Sequence, residues 1–142
     1  MATTYIEPGS ATPVSRPGLL IALKWTAGIF AALMLLQAFL GGRGFFVDSD
    51  LLDIHEIVGM ITVLIALVQV VLAVLVLRAP GVGRTSLILS ALIFVLAVVQ
   101  LMLGFSAKDG SGGSAAWHLL NGVFLFGLAV GNNSIIFRLR RG

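Results

Sequence analysis

The sequence predicts an all-α polytopic membrane protein, an antiparallel bundle of four transmembrane helices built from a tandem two-helix repeat. Three observations carry this. The 142 residues are 58% apolar and only 11% charged, with a mean hydropathy of +1.08, far from the composition of a water-soluble domain. Four apolar segments, at about 19–41, 51–77, 85–105 and 115–137, each reach the roughly 20 residues that cross a bilayer. Finally, Gln37, Gly41, His55 and Gly59 recur as Gln100, Gly104, His118 and Gly122 at a single offset of 63 residues, with no gap.

In chain order, residues 1–18 are polar and hold Pro8, Pro13 and Pro17, the composition of a disordered tail. The membrane domain then occupies 19–142. Segment one is too long for a signal-peptide core and has no small-residue cleavage site after it, so it is expected to stay as a permanent helix. The run Gly41-Gly42-Arg43-Gly44 is expected to end it. A short acidic loop follows, with Asp50 as the expected N-cap of segment two and Asp53 in its first turn, where a carboxylate suits the helix dipole. Residues 78–84 form a tight turn containing Pro80. The loop 106–114 is rich in Gly and Ser, and Ser114 is placed to cap segment four.

The net charge of +3 is not the signature of a nucleic-acid partner, because the charges sit in loops and tails. Arg16 and Lys24 flank the start of segment one, Arg78 and Arg84 join segments two and three, and Arg138, Arg140 and Arg141 end the chain. The other two loops mix Arg43 and Lys108 with Asp48, Asp50, Asp53 and Asp109. The positive-inside rule therefore puts both termini in the cytoplasm and the histidines at the extracytoplasmic side of a plasma membrane. The absence of cysteine removes disulfides, thiolate metal sites and c-type haem attachment. Two short motifs carry no weight. The glycine-rich 81–86 lacks the lysine of a phosphate loop, and the sequon at Asn132 falls inside an apolar segment.

Polar residues inside a membrane segment normally face the bundle interior, so helical spacing identifies the inward faces. These faces are Ala27, Phe30, Met34, Gln37 and Gly41 on segment one, and His55, Gly59, Thr62, Ala66, Gln69 and Ala73 on segment two. Segment three gives Ser86, Ser90, Ile93, Ala97, Gln100 and Gly104. Segment four gives His118, Gly122, Leu125, Ala129 and Asn132. For Gln69, Asn132 and the glycines taken alone, helix packing is the sufficient explanation.

The histidines ask for more. A two-helix repeat relates its copies by an axis along the membrane normal, which sets His55 and His118 at equal depth, facing each other. Each lies near a helix N-terminus, where the dipole disfavours imidazolium and keeps a metal-binding neutral ring. Gly59 and Gly122 would clear space for a flat macrocycle, and Gln37 and Gln100 would bond the ring nitrogens left over from ligation. The expected cofactor is one haem b with His55 and His118 as its axial ligands. Trp117, Phe45 and Phe46 would shield its edge, and Arg43 or Lys108 would meet its propionates. Two histidines without thiolates make an incomplete zinc shell, and Asp53 and Glu56 read as ordinary first-turn acids.

With the residues in view, the chain resembles one four-helix half of haem A synthase, a family whose bundles carry a histidine at the outer start of the second and fourth helices. The resemblance covers all four segments and rests on His55-x-x-x-Gly59 and His118-x-x-x-Gly122. It implies a b-type haem between the two. Departures are visible: Leu52 stands where the family's reactive half has a glutamate, Glu56 and Leu119 stand where an arginine commonly follows the histidine, and there is no second bundle. The chain is also similar to small bacterial four-helix membrane proteins with this layout. Two functions follow from different classes. One is a haem protein for electron transfer or haem handling, partnered by a quinone, a redox protein or a larger complex in the lipid. The other is a non-catalytic accessory subunit of such a complex, with structural histidines. Neither makes the chain an enzyme on its own, and a transporter would rather place its site at the midplane.

Overall fold

A computed structural model describes residues 17–76 and 82–139, and these form four helices. The predicted tail therefore lies outside the described residues up to position 16, as do positions 77–81 of the turn. The helices are α1 (Pro17–Phe46), α2 (Leu51–Val76), α3 (Val82–Lys108) and α4 (Gly112–Arg138). All four are long and apolar enough to cross a membrane. In lipid a spanning segment must satisfy its own backbone hydrogen bonds, which is why four apolar runs become four uninterrupted helices. Each packs against its two neighbours around a square (α1 on α2, α2 on α3, α3 on α4, α4 on α1), so α2 and α4 stand on one diagonal.

Helices α1, α3 and α4 outrun the boundaries read from the sequence, while α2 begins at Leu51 as expected, and α1 is the instructive case. It continues through Gly41, Gly42 and Gly44 to Phe46. Here glycine serves close approach, not termination. A Cβ on Gly44 would fall 2.7 Å from Leu52 Cδ2 and 3.1 Å from the Leu52 main-chain nitrogen, and one on Gly41 would fall 3.1 Å from the His55 ring. One cap also shifts. Ser111 caps α4 by accepting from Ser114 N–H, and in the α1–α2 turn the Asp50 N–H donates to Asp48 Oδ1. The capping side chain of α4 thus moves from Ser114 to Ser111 because that helix begins earlier than composition suggests, whereas α2 begins at Leu51 as expected and the Asp48 bond belongs to the turn before it.

The buried residues follow the inward stripes and extend them to Leu20, Leu23, Leu40 and Gly44 on α1 and Ile136 on α4. Phe30, Met34, Ala66, Ile93, Ala97, Leu125 and Ala129 form an apolar core at mid-bundle. Lipid is as apolar as these side chains, so what holds the helices is close packing at small residues and hydrogen bonds between helices. The second term is concentrated below the core. Ser86 Oγ donates to Asn132 Oδ1 at 2.6 Å, Asn132 Nδ2 to Ser90 Oγ at 3.0 Å, and Gln69 Nε2 to Ser90 Oγ at 3.3 Å, tying α2, α3 and α4 together. All four residues are buried. Gln69 and Asn132 also stand 63 positions apart, which extends the repeat to this layer.

The two uses of glycine predict opposite outcomes. Gly44→Ala, pressed against backbone, is expected to lose about 1–3 kcal/mol of stability through overpacking. Gly28→Ala, whose Cβ meets nothing within 4 Å, should gain a few tenths to 1 kcal/mol from helix propensity. Thermal or denaturant unfolding of the detergent-solubilised variants measures both.

Candidate functional site

The histidine end of the bundle is built twice, once by each helix pair. His55 lies one turn into α2 and His118 lies two turns into α4, and each is half-buried. Gly41 on α1 and Gly104 on α3 remove the side chains that would block the rings: a Cβ on either would fall 3.1 Å from the facing Cε1 and 3.3 Å from Nδ1. Through that opening His55 Nδ1 reaches the main-chain carbonyl of Gln37 at 3.1 Å, and His118 Nδ1 reaches that of Gln100 at 2.9 Å. A helical carbonyl only accepts, so each Nδ1 carries a proton, which in the neutral ring leaves the lone pair on Nε2. Neither Nε2 has a partner among the described residues. The two ring centroids are 5.9 Å apart, across the α2–α4 diagonal, with planes inclined at 67°.

All six residues singled out from the sequence, Gln37, Gly59, His55, Gln100, Gly122 and His118, come together here. Two details differ from expectation. The ring nitrogens are held by the glutamine main chains and not by their amides, which bond elsewhere, Gln37 to the His55 carbonyl and Gln100 to Asn121. The amides instead fill the gaps beside the deeper glycines: Gln37 Nε2 lies 3.3 Å from where a Gly59 Cβ would be, and Gln100 Nε2 lies 3.0 Å from that of Gly122. The rim also differs. Phe45, Phe46 and Trp117 are largely exposed, and Lys108 is engaged by Glu56 Oε2 at 2.6 Å and Asp53 Oδ1 at 3.6 Å. Lys108 thus bridges α3 to α2 at the surface, giving the two first-turn acids a partner.

One residue of the site escaped the sequence reading. Asn121 Nδ2 donates to Gln100 Oε1 at 2.7 Å and to the Leu96 carbonyl at 3.0 Å. Its counterpart in the first repeat is Val58, an apolar residue, and the consequence is visible. Gln37 donates through Nε2 to the His55 carbonyl at 2.9 Å, yet its Oε1 is buried without a partner. An amide three residues after a histidine, within an apolar helix, was the available signal.

These residues define a membrane-embedded four-helix bundle whose two equivalent halves bring one histidine each to a shared site. Comparison with known protein families, curated proteins and solved structures finds no match. Among the described residues, no three His, Cys, Asp or Glu side chains gather as a metal-binding group. What the site offers is two imidazoles and glutamine amides.

The asymmetry is testable. Asn121→Val strands Gln100 Oε1 and is expected to cost about 1–3 kcal/mol. Val58→Asn supplies Gln37 Oε1 with the donor its repeat mate already has, and should stabilise by up to about 1 kcal/mol. Equilibrium unfolding of the two single variants and their double gives the comparison.

Proposed function

We propose that this chain is an integral membrane b-type haem protein, with a single haem held between His55 and His118, serving electron transfer or haem handling. The observation that carries the reading is the histidine pair itself. The centroid separation of 5.9 Å is near the about 6 Å needed for one metal ion bonded at roughly 2 Å to a nitrogen of each ring. Main-chain carbonyls fix the tautomer and orientation of both rings, the support that ligating histidines characteristically have. Two imidazoles suit a metal that brings its remaining ligands with it, as haem iron does, better than a bare ion that wants four from the protein. Beside the deeper glycines lie the Gln37 amide and Leu101 at Gly59 and the Gln100 amide at Gly122.

When bound between His55 and His118, haem would supply one-electron redox chemistry. The chain's own part is to hold two neutral imidazoles in place, keep their Nδ1 protons on the Gln37 and Gln100 carbonyls, and surround the site with lipid-facing apolar helices. By the distribution of basic residues the site lies on the extracytoplasmic side. A quinone or a redox protein would then exchange electrons with it from that side, since one haem near one surface does not span the bilayer. Haem A synthesis is not part of the reading, because Leu52 stands where the reactive half of that family carries a glutamate.

A second reading rests on the long exposed apolar faces, which suit burial in a larger complex as well as in lipid. There the chain is an accessory subunit and its histidines only tie helices together. Colour separates the two. Protein purified in detergent after expression with ample haem is expected to show a sharp reduced-minus-oxidised α band of low-spin haem b, absent from His55→Ala and His118→Ala. A folded, monodisperse and colourless wild type would leave the accessory reading standing.

A further inference from the structure

The end of the bundle opposite the histidines carries a lipid-facing furrow of about 470 Å³ on the outside of α1 and α4. Its floor exists because Gly28 has no side chain: a Cβ there would meet nothing within 4 Å, and Ala32, one turn further, is exposed. Trp25, 70% exposed, stands on the rim, as tryptophans do at the membrane–water boundary. At the head of the furrow is Lys24. Its Nζ donates to the Leu139 carbonyl at 2.8 Å and to the Phe137 carbonyl at 3.2 Å, and lies 5.9 Å from the Phe137 ring centroid.

An ammonium group has three donors, and two are accounted for. The third has no partner among the described residues. Nor is the charge balanced, since the end of a helix offers only about half a negative charge. The described acidic residues, Asp48, Asp50, Asp53, Glu56 and Asp109, all lie at the histidine end. A second copy in parallel orientation would therefore bring no described carboxylate to Lys24, whereas an amphiphile with an anionic head and an apolar tail matches the whole feature.

We propose that this furrow is a binding site for an anionic phospholipid, its phosphate on Lys24 and an acyl chain along Gly28 and Ala32. Basic pockets between transmembrane helices recognise such headgroups, and Lys24 already has its ammonium fixed at the end of α4. The proposal is independent of any cofactor at the histidines.

The test uses the full chain in detergent and measures retention of phosphatidylglycerol against phosphatidylcholine with identical acyl chains, by native mass spectrometry. The wild type is expected to prefer phosphatidylglycerol about fivefold, the worth of one lysine near a membrane surface. Lys24→Gln should abolish the preference. Because that variant also loses two bonds to α4, Gly28→Leu is the second arm: it fills the furrow, keeps Lys24, and should reduce retention of both lipids at unchanged folding. Equal retention of the two lipids by the wild type, or full retention by Gly28→Leu, overturns the proposal. So does a wild-type dimer that Gly28→Leu converts to monomer, which would give the furrow to a second copy.

Discussion

The histidine end depends on one constraint: helices in each pair must come close enough for an imidazole to touch the opposing main chain. Gly41 and Gly104 make that approach, and their hypothetical Cβ atoms would sit within 3.1 Å of the rings. Without the approach, each Nδ1 would need a side-chain partner or be left unpaired in an apolar setting, at a cost of a kilocalorie or more. With it, the ring is oriented by a carbonyl whose own position is fixed by the helix. Main chain is the stiffer support, because no rotamer has to be held.

Along the bundle axis, polar and apolar layers alternate. The histidine and glutamine layer lies at one end, the apolar core of Phe30, Met34, Ile93 and Leu125 lies in the middle, and the Gln69, Ser90, Asn132 and Ser86 cluster lies beyond it. Association of helices in lipid draws little from the hydrophobic effect, so each polar layer acts as a clamp with the small residues as hinges of contact. The middle layer is close-packed and apolar. It separates the two polar layers.

The repeat is exact enough in geometry to be read twice and inexact enough to be informative. The two Nδ1–carbonyl distances agree within 0.2 Å (3.1 and 2.9 Å), and the clearances at Gly41 and Gly104 are the same. Val58 and Asn121 then break the equivalence, leaving Gln37 with an unpaired carbonyl oxygen where Gln100 has a donor. The opposite end is less symmetric still. Ala27 and Leu23 occupy the places of Ser90 and Ser86, so both hydroxyls of the cluster with Gln69 and Asn132 come from α3.

Much of the architecture was legible in the chain, for physical reasons. Bilayer thickness demands long apolar runs, and helical geometry forces buried polar and small residues onto one stripe, so the number of helices and every inward face follow from spacing. The offset of 63 residues likewise placed His55 opposite His118. What needed the tertiary structure was anything decided by atoms from two helices at once. The Gly41–Gly44 run reads as a helix end in one dimension and becomes a packing surface only when Leu52 and His55 arrive against it. Which atom of Gln37 or Gln100 meets a histidine depends on a register of a fraction of an ångström, which no pattern of residue types records. The third donor of Lys24 is visible only once the end of α4, more than a hundred residues later, has taken the other two.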